Sequence, residues 1–491
     1  MFTDVNARRR LSPQDAAFLY LESDQAPMTI GSIALFEGTV PFKRFVETIE
    51  ARLHNIPRYR QRVVETPFGI ARPTWEFDRH FDVRNHIRTV KLPDPVTEED
   101  IRRLAGRIFR GRMDRRRPLW EMNMVHGLEG DRTALISRVH HCMVDGVGGV
   151  ELLMITLDVQ EDPPADGIAP TYDPPPPPPR WQRVSDAAFA RMSEAIDHSA
   201  SVADWVTDLA SGELSGTRRT LDAIGTTLGY LFDPVQKFSF NRPFGGGREL
   251  AFLELPFEDV KAVRRAAGGT INDVILAVLG GALCAYAVRH GESIDNRIAR
   301  IAIPVNVRRE SERGVLGNRI SMLDVEVPLD TAGPVQRLQA VVAGTQALKE
   351  SRMAEGVTTL MEVIGVLGPN ALKALSAALV IPNGVANVVC TNVPGPMIPL
   401  YSVGHKLLTH YAMMPIAWDM GIGCAVMSYN HHLYLTLVAD TASAPDVSLL
   451  CDLMRDAFED LCSAACGPPA TLALSGQIHP DITAVAPRAA A

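Results

Sequence analysis

Thr133-Ala-Leu-Ile-Ser-Arg-Val-His-His-Cys-Met-Val-Asp-Gly146 decides how this chain is read. The run from Arg132 to Val139 is apolar and β-branched enough to predict a strand. His140 and His141 then fall at a strand end, where a loop can present a side chain to a cleft. Histidine is the side chain best suited to moving a proton near neutral pH. Asp145 is the right type to anchor the loop or to fix a histidine tautomer. Gly146 supplies a backbone conformation that bulkier residues resist.

Other short motifs stand in order around this one. Upstream are Leu11-Ser-Pro-Gln-Asp15, then Phe18, and Pro118-Leu-Trp120. Downstream, Asn272-Asp273 opens an apolar helix from Val274 to Val288, and Thr391-Asn-Val-Pro-Gly-Pro396 follows late. The ordered set, from about Leu11 to Asp440, resembles the bacterial wax ester synthase/acyl-CoA:diacylglycerol acyltransferase family. That family lies in the CoA-dependent acyltransferase superfamily with its HHxxxDG signature. The resemblance implies a mixed α/β (α+β) fold. It has two chloramphenicol-acetyltransferase-like domains and a tunnel at their interface. It implies transfer of a fatty acyl group from acyl-CoA to diacylglycerol or a long-chain alcohol, yielding triacylglycerol or wax ester.

Residue roles follow from the same resemblance. His141 is the expected general base, with His140 supporting the loop. Asp145 is expected to point away from substrate and pair with an arginine. Arg308, in Ile303-Pro-Val-Asn-Val-Arg308, is the candidate partner. The Asn272-Asp273 pair is associated with activity in the family, and an asparagine amide can donate to a developing oxyanion. The alternative is a helix cap, supplied by Thr270 or Asn272. Pro118 and Trp120 read as packing that shapes the site. The acyl-CoA is a co-substrate, and no metal or redox cofactor is implied.

Bulk properties agree with an ordinary globular chain. At 491 residues it is too long for one core, so two domains are the default. Apolar residues make up 46% and charged residues 22%. A net charge of −8 argues against nucleic acid as the main partner. Seven dispersed cysteines, none in a CxxC pair, suit a reducing compartment. The start of the chain has no apolar secretory core. No run reaches the ~18–20 uninterrupted apolar residues of a spanning helix. The expectation is therefore a cytoplasmic chain, soluble or peripheral at the inner membrane or lipid droplets.

Composition suggests four segments. Residues 1–160 read as an N-terminal domain carrying the histidine motif. Residues 161–245 hold a linker with six consecutive prolines, Pro174 to Pro179, then amphipathic crossover helices between Trp181 and Phe232. Gly245-Gly-Gly247 reads as a flexible loop before a C-terminal domain at 246–466, with a loose tail at 467–491. Strands are expected at Met28–Phe36, Leu250–Leu255, Arg300–Val307, Ser321–Val327, Val385–Val393, His410–Met414, Cys424–Tyr429 and Leu433–Ala439. Residues Arg102 to Arg117 include eight arginines, which fit a solvated face or contact with phosphates. The lookalike pair His431-His432 lacks a following aspartate at the right offset and reads as a turn.

Overall fold

The computed structural model describes residues 10–144, 156–164, 167, 170–193, 235–306, 320–350 and 386–467. Asp145, Gly146 and Arg308 lie outside these, as do most of the expected crossover helices and the tail. In the first part run α1 (Pro13–Leu21), β1 (Thr29–Glu37), α2 (Phe42–Arg52), β2 (Gln61–Val64), β3 (Thr74–Phe77) and β4 (Ile87–Thr89). Then come α3 (Glu98–Phe109), β5 (Trp120–Leu128), β6 (Arg132–His140) and a helix α4 over 180–193. The second part holds β7 (Glu249–Pro256), α5 (Phe257–Ala267), α6 (Ile271–Arg289), β8 (Ile298–Asn306), β9 (Ile320–Pro328) and α7 (Pro334–Glu350). It ends with β10 (Val388–Val393), β11 (Tyr401–Ser402), β12 (His405–Met413), β13 (Ile422–Tyr429), β14 (His432–Ala439) and α8 (Val447–Cys466).

Two six-stranded sheets organise the molecule. The first has the order β11-β12-β1-β6-β5-β4 and the second β7-β14-β13-β10-β8-β9. β1 and β6 are antiparallel from Thr29 opposite His140 to Glu37 opposite Arg132. Residues of β1 alternate between two cores. Ala34 and Phe36 pack on the side of α1 and α2, whereas Ile33 and Leu35 pack toward α3 and the second sheet. Period-two alternation with both faces buried explains why this strand reads as nearly continuous apolar sequence. Gly31 sits where a Cβ would run into the Ser137 carbonyl and the Phe109 ring, so only glycine lets β6 and α3 close onto β1 there.

Sheet membership crosses the linear division at 246. Strands β11 and β12 belong by sequence to 246–466, yet β12 pairs with β1 in the first sheet. The crossing is held by side chains: the Tyr434 hydroxyl donates to the Leu408 carbonyl, and Phe252 stacks on Tyr411. The second sheet carries α5, α6, α7 and α8 on one face, packed into a large apolar core. Helix α6 is long and apolar enough to span a membrane, but most of it is buried in that core. Lacking a polar side, it has little outward-facing surface to offer water.

Gly245-Gly-Gly247 is not a free loop. The buried Asp440 carboxylate accepts the backbone N–H groups of Gly245 and Gly246, each at 3.0 Å, and also pairs with Arg248 at 3.1 Å. Successive glycine amides can converge on one carboxylate because no side chain intervenes. The proline run is anchored as well. Tyr172 donates to the carbonyls of Arg60 and Asp78, and Arg183 of α4 pairs with Glu76 of β3. His431 forms, with Asn430, the two-residue turn between β13 and β14, both at positive φ.

Candidate active site

The histidine pair emerges where β6 ends between β1 and β5. The His140 N–H donates to the Leu119 carbonyl at 2.9 Å, so Pro118-Leu-Trp120 holds one side of the strand end. Trp120 is locked in turn, its indole donating to the Tyr59 carbonyl and its own carbonyl meeting His86 Nδ1 at 2.8 Å. The His141 N–H donates to the Met28 carbonyl at 2.8 Å, which holds the other side. These bonds fix the segment from Pro118 to Trp120 against the end of β6.

Consecutive positions then take opposite environments. The His140 ring is fully buried. Its Nδ1 accepts the Cys142 N–H at 3.1 Å, so in the neutral ring the proton sits on Nε2. That nitrogen faces Glu22 Oε1 at 3.4 Å, long for a hydrogen bond and chiefly an electrostatic contact. Burial holds His140 below its ordinary pKa, while Glu22 pulls the other way. His141 is only partly buried, and its ring stacks on Phe18 of α1 with centroids 3.9 Å apart and planes within 6°. Cys142 is buried, and burial pushes its thiol well above its ordinary pKa. A thiol kept protonated is a poor nucleophile.

Glu22 is the residue that sequence reasoning missed. It caps the end of α1, and its side chain is essentially sealed from solvent. Oε2 accepts from Arg112 Nε at 3.1 Å and from Arg115 Nη2 at 2.9 Å. Burial by itself raises its pKa, but His140 and Arg115 overcome that and hold it at about 2. A lone glutamate seven residues after Asp15 carries no spacing signal, so only its burial identifies it. The arginine-rich stretch is thereby divided. Arg112 and Arg115 serve this carboxylate, Arg102 and Arg103 pair within α3, and Arg107, Arg110 and Arg117 are exposed.

The surroundings of the pair come from both parts of the chain. Ala26 and Met28 form a small apolar cluster with Ala417 of the loop after β12, joined by Phe18, Phe244 and Trp418. Asn272 and Asp273 stand at the first turn of α6. Thr270 is the N-cap, and Asp273 completes a capping box, its Oδ2 accepting from the Thr270 N–H at 2.8 Å. Its other oxygen accepts from Thr345 at 2.9 Å. The Asp273 carboxylate is thus committed to the helix start and to α7, whereas Asn272 is half-buried with no such commitment among the described residues. Among the described residues no group of three or more His, Cys, Asp or Glu side chains is arranged to hold a metal.

Comparison with known proteins bears directly on this geometry. The family model described as the wax ester synthase/diacylglycerol acyltransferase catalytic domain matches residues 11–275, and that of the WS/DGAT C-terminal domain matches residues 316–462. A putative diacylglycerol O-acyltransferase of Mycobacterium tuberculosis is 29% identical over 486 residues, 97% of this chain and 93% of the relative. Among solved structures, the wax ester synthase/diacylglycerol acyltransferase from Marinobacter aquaeolei VT8 superposes with a TM-score of 0.65. It is 23% identical and covers 93% of this chain and 100% of its own. The first condensation domain of the calcium-dependent antibiotic synthetase gives 0.61 at 16% identity, covering 94% and 98%. At those identities the structures speak to the fold: both share the mixed α/β architecture described above.

Proposed function

We propose, from the premise that this chain belongs to the wax ester synthase/diacylglycerol acyltransferase family, that it moves a fatty acyl group from acyl-CoA to a hydroxyl lipid. Diacylglycerol and long-chain alcohols are the acceptors, and triacylglycerol or wax ester and free CoA the products. The relatives' names support the acceptor class. The observation that carries the residue assignment is the contrast at the end of β6. His140 is sealed against Glu22, whereas His141 is only partly buried, with its ring braced flat on Phe18.

In this reading the acceptor hydroxyl gives its proton to the His141 imidazole as its oxygen attacks the thioester carbonyl. The C–S bond then breaks, and the departing thiolate takes the proton back from the imidazolium. One ester and one free thiol form, and no acyl-enzyme is needed. Asn272 is the candidate donor to the oxyanion, and Asp145, Gly146 and Arg308 are assigned to hold the loop, as the family pattern implies. The scheme draws on no cofactor beyond the CoA ester itself.

Thiol release from palmitoyl-CoA, with products separated after addition of diacylglycerol or hexadecanol, tests this. His141→Ala should remain folded and lose activity by roughly 10²–10⁴-fold, the usual worth of a general base. Release with another hydroxylated metabolite alone would reassign the acceptor. No release above the His141→Ala background with any alcohol would leave a lipid-binding scaffold.

A substrate that does not dissolve must be met at a surface. Helix α4 docks through Arg183 and the buried Ala187, while Trp181, Phe189 and Met192 are 72%, 68% and 53% exposed. Arg183 meets Glu76, and the Asp186 carbonyl meets Arg10, which bridges to Thr74. The helix therefore runs back along β3 toward the loop bearing Phe68, itself 84% exposed. We assign this apolar edge to contact with a lipid surface of low charge, since Asp186 beside it disfavours anionic headgroups.

A further inference from the structure

Three neighbours that place the His141 backbone and ring, Phe18, Met28 and His140, each lie within one step of Glu22. Phe18, which stacks on the His141 ring, lies one helical turn before Glu22 on α1. Met28, whose carbonyl receives the His141 N–H, turns its own N–H toward Glu22 Oε1 at 3.5 Å. His140, covalently next to His141, puts Nε2 3.4 Å from the same oxygen. The second oxygen is held by Arg112 and Arg115. Arg115 also donates to the Leu19 carbonyl at 2.8 Å, and Arg112 to Asp24 at 3.2 Å, so both arginines tie the carboxylate back to its own segment.

The two oxygens therefore do different work. Oε2 fixes the carboxylate to the end of α1 through the guanidinium groups. Oε1 carries that fixed position to the β1 entrance and to the histidine turn. A sealed carboxylate with one oxygen unclaimed would be costly, so the arrangement stands only while His140 and Met28 both face it. We propose that Glu22 is a positioning residue for the transfer reaction: it aligns the His141 imidazole by clamping His140 and Met28 to α1. The proposal rests on the assignment of His141 as the base. Glu22 itself is too deeply buried to touch substrate, and its contribution to rate runs entirely through the orientation of its neighbour.

Glu22→Gln keeps shape and an acceptor oxygen but removes the charge. Expected is a folded protein by circular dichroism whose kcat is at least tenfold lower, with KM for palmitoyl-CoA within twofold of wild type. Loss of a nearby negative charge also lowers the pKa of a histidine, so the acid limb of the kcat profile should move to lower pH. A purely structural role would lower the melting temperature and leave kcat per folded enzyme and the limb unchanged; that result overturns the proposal. If Glu22→Gln fails to fold, Arg115→Met loosens Oε2 while leaving the carboxylate in place. It should lower kcat at constant KM, and wild-type kcat in that variant would equally overturn the proposal. Failure of the His141 assignment is separate: His141→Ala would then match wild type whatever Glu22 does.

Discussion

Three buried ionisable groups show how residue-level environments set behaviour. His140 is neutral beside an anion, and Glu22 is an anion between cations. His410 on β12 is buried, and neither ring nitrogen has a hydrogen-bond partner among the described residues. Burial lowers the pKa of His410 to about 4. The unfolded imidazole takes up a proton near its ordinary value of 6.5, so between those values the unfolded chain binds more protons. Stability therefore falls as pH drops from 6.5 to 4 and loses no more below that. In full this loss is about 3 kcal/mol. His410→Leu should be at least as stable at pH 7, and its advantage should widen by up to that amount by pH 4. Urea midpoints at the two pH values measure this; an advantage that stays constant would contradict it. Glu22 shifts stability in the same direction with pH, in a lower window. Its depressed pKa stabilises the fold above about 4.5, and that contribution disappears as pH falls toward about 2.

At the scale of elements, most of what the sequence predicts is found with ends shifted by a residue or two. β7 covers Glu249–Pro256 against the expected Leu250–Leu255 and β14 covers His432–Ala439 against Leu433–Ala439, whereas β12 starts at His405, five residues before the expected His410. β5 was illegible because Trp120–Leu128 mixes Glu121, Asn123 and His126 with apolar residues, and its pairing to β4 and β6 makes it a strand. The proline run and the triple glycine look like punctuation in sequence. Tyr172 and Asp440 turn them into packed structure. The amphipathic pattern around 181–193 was legible, but which side faces water was not. Replacing Trp181, Phe189 and Met192 together by serine should leave folding intact and reduce flotation with phosphatidylcholine vesicles or a triacylglycerol emulsion by tenfold or more. Unchanged flotation would remove the lipid assignment from this helix.

For the whole molecule, the joint between the two parts matters most. Arg248 links them: it pairs with the buried Asp440, donates to the Gly247 carbonyl, and reaches the Gln25 carbonyl in the segment that follows Glu22. Removing one partner of a buried pair leaves a stranded charge, typically at 3–5 kcal/mol. Asp440 keeps several N–H donors, so Arg248→Met should cost about 3 kcal/mol, seen as a lower denaturant midpoint at unchanged slope. A cost under roughly 1 kcal/mol, the range of an exposed pair, would show the joint does not depend on it.

Sequence alone determined a mixed α/β chain, because strand alternation and helix caps are local patterns, and the class of chemistry was implied by the family resemblance that the histidine pair and its ordered motifs carry. It could not determine which histidine is sealed, which arginines are spent on a carboxylate, or that β12 joins the first sheet. Those depend on contacts between residues far apart in the chain. Glu22 and His140 are 118 positions apart by their numbers, and only packing brings a buried charge to the partner that makes its burial tolerable.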